Sequence, residues 1–238
     1  MNAETIFRII TLILISTAIT ISAYYRRKAD ISAAKAGHER ISRQEEGKGL
    51  MLALRSGGFL LWFTVLAYVI NPDWLAWTSL PLPAWLRWVG VAISIFAALL
   101  LYWMFNSLGN NITDTVVTRQ EHSLVVQGPY RWIRHPLYSF GTLFFLGLSL
   151  ITAKWSLAVL IILGFVLLAI RTRIEEAKLV ERFGEEYRVY SRRTGRFFPK
   201  FASGPTYLEP IRKMNFPLWC GRQQSRRPHH KNNIRIDT

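Results

Sequence analysis

RHPLYSFGTLFFLGLSLITAKWSLAVLIILGFVLLAIRTRIEE, residues 134–176, holds a single charged residue, Lys154, between Leu137 and Ile170. About 20 apolar residues span a bilayer's hydrocarbon core. This run is longer and is interrupted near its middle at Ala153-Lys154. It reads as two apolar helices, about Leu137 to Ala153 and Ser156 to Ile170, joined by a turn of a few residues. The expected result is a tight antiparallel hairpin whose helices are both short for full crossings. A hairpin brings its two outer ends together. Arg134-His135 at the entry and Arg171-Thr172-Arg173-Ile174-Glu175-Glu176 at the exit are therefore expected to face each other across one small volume.

Three more apolar blocks lie upstream, at about Ile6–Tyr25, Gly49–Ile70 and Trp85–Phe105. The first has the length of a retained span rather than of a signal-peptide core, and Tyr24-Tyr25-Arg26-Arg27-Lys28 reads as its interfacial anchor. The expected fold class is all-α: a polytopic helical membrane protein of about five transmembrane helices, with the C-terminal hairpin and amphipathic helices on the cytoplasmic side. Residues 1–105 would form three spans with a basic cytoplasmic loop, whose segment Ala29–Lys48 reads as a surface helix. Residues 106–200 would form a catalytic module, and 201–238 a basic, aperiodic, disordered tail.

The net charge is +15 in 238 residues, of which 50% are hydrophobic. The basic residues do not point to nucleic acid, because they gather in loops between apolar blocks and in the tail. Arg26, Arg27, Lys28, Lys35, Arg40 and Arg43 follow the first block. Arg119, Arg131 and Arg134 precede the fourth, and many more follow Ile170. Residues 71–83 carry no Lys or Arg, and the same face shows only Arg8, Arg87 and Lys154. Lys and Arg are retained in cytoplasmic loops, so the N-terminus is expected outside and the C-terminus in the cytoplasm. Cys220 is the only cysteine, which excludes an internal disulfide and a multi-cysteine metal site; no metal site is expected.

Gly128-Pro129-Tyr130-Arg131-Trp132-Ile133-Arg134-His135-Pro136-Leu137-Tyr138 combines cations and aromatics at a membrane face. Pro136 suits the first position of a helix and disfavours helical geometry at His135. His135 is thus placed at a helix N-terminus, where backbone N–H groups and Arg134 offer an anion site. Arg171 and Glu175, four apart, share one helix face. Taken singly, the first group also suits an interfacial anchor and the second a solvated ion pair. After Ile170 an amphipathic helix is expected to stop at Gly184 and be followed by a short one, Glu185–Arg192.

As a set, RHPLY, the apolar hairpin and EExxLxxxFGEEYxxY, together with Arg196 to Pro199, resemble the isoprenylcysteine carboxyl methyltransferase family and the related phospholipid N-methyltransferases. The resemblance covers roughly residues 106–199. It implies S-adenosylmethionine as methyl donor and a lipophilic acceptor entering from the bilayer, either an isoprenylcysteine-like carboxylate or a phospholipid amine. His135 and Tyr138 match the family's cofactor-contacting positions, and Arg171 and Glu175 match an Arg and a Glu that it needs for activity. Tyr130, Arg134 and Glu176 are candidate cofactor contacts beside them. Membrane sterol reductases, which use a nicotinamide cofactor, share a similar C-terminal architecture. Their motif has Asn where this chain has Pro136 and lacks the paired glutamates. A non-catalytic membrane scaffold that kept the fold is the third reading.

Overall fold

The computed structural model describes residues 2–35, 48–108 and 124–200. Within them the chain forms five α-helices: α1 (Ala3–Lys35), α2 (Lys48–Ile70), α3 (Ala84–Leu108), α4 (Pro136–Thr152) and α5 (Trp155–Arg193). Two short 3-10 helices, Pro72–Thr78 and Gly128–Arg131, lie in the connections. α1 is rich in Ile and Thr, β-branched residues that lose side-chain freedom in a helix in water. In hydrocarbon, however, every backbone polar group must be bonded internally, and the helix achieves that within one segment.

α1, α2, α3 and α5 are long and apolar enough to cross a membrane. Gly49–Ile70, with 22 residues, is about 33 Å long, close to the thickness of a hydrocarbon core of about 30 Å. α4 has 17 residues, about 26 Å, and falls just short. The short fourth helix is as expected; the fifth is not short. α5 runs unbroken through Ile170 into the charged segment and totals 39 residues. Nothing between Ile170 and Phe183 breaks a helix, so the change from apolar to charged composition changes the surroundings of the helix and not its geometry. Gly184 does interrupt it, at φ 55° and ψ −128°, a conformation essentially confined to glycine. The segment read as a surface helix from Ala29 continues α1 as far as Lys35. Its remainder and the tail beyond Lys200 lie outside the described residues.

The hairpin turn is tight. Ala153 adopts a left-handed conformation, φ 52° and ψ 40°, and its N–H donates to Leu150 O at 3.2 Å. Lys154, only 5% exposed, turns back onto the preceding loop. Its ammonium donates to Leu75 O at 3.0 Å and Ser79 Oγ at 2.6 Å. Burial pulls its pKa below the ordinary lysine value, against the opposing pull of Glu4 and Asp73. On the same face Arg87 holds Glu4 at 2.8 Å, donates to Ile151 O at 2.7 Å and lies 4.0 Å over the Phe7 ring. Arg8 donates to Val69 O and Ile70 O and so binds the open carbonyls at the end of α2. The few cations of this face are thus absorbed into tying α1, α2, α3 and the hairpin together. Trp74, Trp77, Trp85, Trp88 and Trp155 are exposed around it, as in an aromatic belt.

The core contains residues from all five helices, including Phe7, Val65, Ala97, Phe144, Leu148 and Leu157. α3 and α4 approach most closely at Gly90 and Gly147, where a Cβ on Gly90 would lie 2.7 Å from Gly147 O. This contact fixes the height of α4, and hence of its N-terminus. Outward-facing Leu52, Phe59, Phe63, Leu99, Ile162 and Val166 are exposed and form an apolar exterior.

Candidate active site

The site forms where the first turn of α4 meets the middle of α5. Pro136 occupies the first turn of α4 and His135 caps it with φ −120° and ψ 61°, outside helical geometry as the following proline requires. The chain after α5 turns back to this point. Ile133 and Gly195 form a parallel bridge, with Gly195 N–H donating to Trp132 O at 2.9 Å and Arg134 N–H to Gly195 O at 2.8 Å. His135 N–H donates to Arg196 O at 3.1 Å, and Ser139 Oγ donates to Phe197 O at 2.6 Å. Residues 194–197 are therefore a strap laid across the start of α4.

Glu175 and Glu176 are adjacent on α5, about 100° apart around the helix, and meet different partners. Tyr138 donates its hydroxyl to Glu175 at 2.7 Å. Arg171 Nε lies 3.1 Å from the same carboxylate, and His135 Nδ1 lies 3.5 Å from its second oxygen. Glu176 sits between two guanidiniums: Arg134 Nε at 2.8 Å and Arg196 Nη2 at 2.5 Å. His135 Nε2 is 3.3 Å from Glu176, so the imidazole bridges the two acids. Its ring stacks on Tyr138, with centroids 5.6 Å apart and planes 3° apart. His135 and Glu175 are each 9% exposed. The Glu176 hydrogen bond raises the Arg196 pKa above the ordinary guanidinium value.

The hairpin topology therefore does bring Arg134, His135, Tyr138, Arg171, Glu175 and Glu176 into one cluster. Tyr130 stands apart from it. Its ring packs against a cluster that includes Tyr25, Met104, Phe105 and Phe140, and its carbonyl accepts from Tyr190 Oη at 2.7 Å. Burial raises its pKa. The donors that the sequence offered to an anion at this helix start are largely engaged internally. Arg134 is bonded to Glu176, Ser191 O and Thr194 O, and the N–H groups of Tyr138 and Ser139 bond to His135 O.

The strap residues Arg196 and Phe197 were missing from the sequence-derived site. Arg196 closes on Glu176, while Phe197 packs on His135 and on Phe165 at centroid distances of 6.1 and 5.0 Å. Their stretch stood out only through the family resemblance. No spacing rule indicates that a chain leaving α5 returns to α4.

The phospholipid methyltransferase family model matches residues 85–186, a stretch that contains α3, α4, both glutamates and Arg171. Over this stretch the chain is similar to the phospholipid methyltransferase family. Human protein-S-isoprenylcysteine O-methyltransferase is 30% identical over 125 residues, which are 49% of this chain and 42% of the human protein. The nickel-cobalt-cadmium resistance protein NccN of Alcaligenes xylosoxydans xylosoxydans is 38% identical over 93 residues, 38% of this chain and 44% of NccN. The match spans less than half the length of either relative. The solved structure of the eukaryotic intramembrane Ras methyltransferase, isoprenylcysteine carboxyl methyltransferase, aligns with 80% of this chain and 67% of its own, at a TM-score of 0.48 and 18% identity. The four helices long and apolar enough to cross a bilayer, with the likeness to these membrane methyltransferases, mark this as an integral membrane protein.

Proposed function

We propose that this protein is an S-adenosylmethionine-dependent methyltransferase acting at the cytoplasmic membrane face on a lipophilic acceptor. The observation that carries the reading is the closure of Tyr138, His135, Arg171 and Glu175 on one another, from two separate segments of the matched module. The buried Glu175 carboxylate, the Arg171 guanidinium and the stacked His135–Tyr138 pair fit the cofactor's chemistry. An acid suits an ammonium or ribose hydroxyls, Arg171 suits a carboxylate, and the Tyr138 ring suits a sulfonium. When bound, S-adenosylmethionine supplies an electrophilic methyl group.

What the chain's own residues contribute is orientation. Methyl transfer is an in-line displacement, so holding two groups in register accounts for most of the acceleration. In this reading Glu175 and Arg171 orient the reacting groups, and His135 and Tyr138 form the cofactor wall. Glu176, with Arg134 and Arg196 on either side, positions that wall by tying the strap to α4. A carboxylate acceptor needs no base and is the favoured class, since the motif match is closest there. An amine acceptor would pass its proton to Glu175. Calorimetry of the purified full chain with S-adenosylmethionine, followed by labelled-methyl transfer into membrane lipids, tests the reading. Base treatment releases methanol from methyl esters but not from methylated amines. Absence of cofactor binding by folded protein would overturn it.

A further inference from the structure

Tyr187 is 2% exposed, yet its Oη has no hydrogen-bond partner among the described residues. An unpaired buried hydroxyl is destabilising, and phenylalanine would avoid it. The ring does not account for a tyrosine here. It packs on Tyr190 with centroids 5.8 Å apart and planes tilted by 58°, a contact that phenylalanine makes equally well. Tyr190 is the contrast: its hydroxyl donates to Tyr130 O at 2.7 Å and so ties the end of α5 to the 3-10 helix before α4.

The break at Gly184 decides where this hydroxyl lies. A Cβ at Gly184 would meet no heavy atom within 4 Å, so the glycine serves the backbone conformation and not close packing. In an unbroken helix Tyr187 would share the face of Glu176 but lie about 16 Å beyond it. Past the break the chain instead returns towards the glutamates. The single guanidinium of Arg134 reaches both Glu176 Oε1, 2.8 Å from its Nε, and Ser191 O, 2.7 Å from its Nη1. Ser191 follows Tyr187 by one turn on the same side of the helix. The charges that act on Tyr187 are accordingly those of Glu176, Arg134, Arg196 and Glu175.

We infer that the Tyr187 hydroxyl is a ligand-binding group that donates to the amino-acid carboxylate of S-adenosylmethionine. The inference rests on the methyltransferase reading and extends its binding site past the Gly184 break. A phenol donor among guanidiniums suits an acceptor oxygen with negative charge. Arg134 and Arg196 bring two positive charges against the one negative charge of Glu176, while Glu175 is met by Arg171. The local excess is positive, and the carboxylate is the cofactor's one anionic group. Burial against Tyr190 fixes the phenol before the ligand arrives, so little side-chain freedom is lost on binding.

Calorimetry of the full chain in detergent micelles, with S-adenosylmethionine and with its decarboxylated analogue, tests this together with thermal denaturation. Tyr187→Phe removes the hydroxyl and keeps the ring. It should melt at the wild-type temperature or above, because it deletes an unpaired buried group. It should bind S-adenosylmethionine at least about tenfold more weakly, as the loss of one hydrogen bond to a charged group implies. Its affinity for decarboxylated S-adenosylmethionine should stay within about twofold of wild type. Tyr190→Phe is the structural control: it should lower the melting temperature and affect both ligands alike. Equal weakening of both ligands by Tyr187→Phe would overturn the carboxylate assignment. A lower melting temperature with unchanged affinity would overturn the inference by showing that the hydroxyl is bonded within the protein. Wild-type protein that binds S-adenosylmethionine no better than Tyr187→Phe does overturns the inference alone. Wild-type protein that binds none removes the methyltransferase reading, and this inference with it.

Discussion

Glu175 and Glu176 share a helix turn but differ in their partners, and the two should fail differently. Glu175 meets a hydroxyl, an imidazole and one guanidinium, and Gln preserves its size and its acceptor for Tyr138. Glu175→Gln is expected to leave the protein folded and to lower methyl transfer at least about a hundredfold, equivalent to roughly 2.7 kcal/mol at the transition state. Initial rates measured with labelled cofactor check this, and an unchanged rate in folded protein removes Glu175 from the site. Glu176 balances Arg134 and Arg196, and its side chain is 13% exposed. Glu176→Ala leaves two guanidiniums facing each other and should cost about 3–5 kcal/mol. Arg196→Ala should cost nearer 1 kcal/mol, because that side chain is 38% exposed and exposed pairs contribute little. Thermal denaturation in detergent, followed by tryptophan fluorescence, ranks the two. Half of this was legible from residue spacing. The i,i+4 relation of Arg171 and Glu175 and the proline after His135 are local signals. The Glu176–Arg196 clasp is not local. It depends on a chain reversal after Arg193, seen in the bridge of Ile133 with Gly195 and in the bonds of His135 and Ser139 to Arg196 and Phe197.

At the scale of elements, the placement of the site rests on how closely α4 can approach α3. Gly90 and Gly147 face one another there, and a side chain at either meets backbone or Ser94 at under 3 Å. Ser94 adds a hydrogen bond to Phe144 O at 3.3 Å. Gly90→Val should push the helices apart and destabilise the protein by about 1–3 kcal/mol, the usual cost of overpacking. Because α4 carries His135 and Tyr138, cofactor affinity should fall together with the melting temperature, which calorimetry and denaturation together would show. Affinity retained at full stability would mean that the α3–α4 contact does not set the site. The apolar blocks announced four of these helices plainly. The length of α5 was hidden because hydropathy reports surroundings, and the helix passes from apolar to charged surroundings without a breaker before Gly184. The close approach of α3 and α4 was hidden as well: Gly90 and Gly147 lie in different blocks, and nothing in either block shows which glycines meet.

Across the whole molecule the two faces use their cations differently. On one, Arg8, Arg87 and Lys154 are bonded into the bundle, where they bind helix ends and loop carbonyls. On the other, Arg26–Lys28 follow the apolar part of α1, and Arg192 and Arg193 end α5 next to Ser191, whose carbonyl accepts from Arg134. Internal pairing leaves the first face with little net positive charge, while the second keeps the excess that is retained in the cytoplasm. The site is therefore expected to face the cytoplasm, where soluble cofactor is available, and the Trp-rich loop 71–83 the opposite compartment. In a Cys220→Ser background, Trp77→Cys and Phe198→Cys provide single reporters, at positions 72% and 76% exposed. In intact cells a membrane-impermeant maleimide should label Trp77→Cys and spare Phe198→Cys until the membrane is opened. The reverse pattern would invert the protein and separate the site from cytoplasmic cofactor. Labelling of both from one side would mean that the number of crossings between α2 and the strap is even, so that α4, the helix just short of the bilayer's thickness, does not cross.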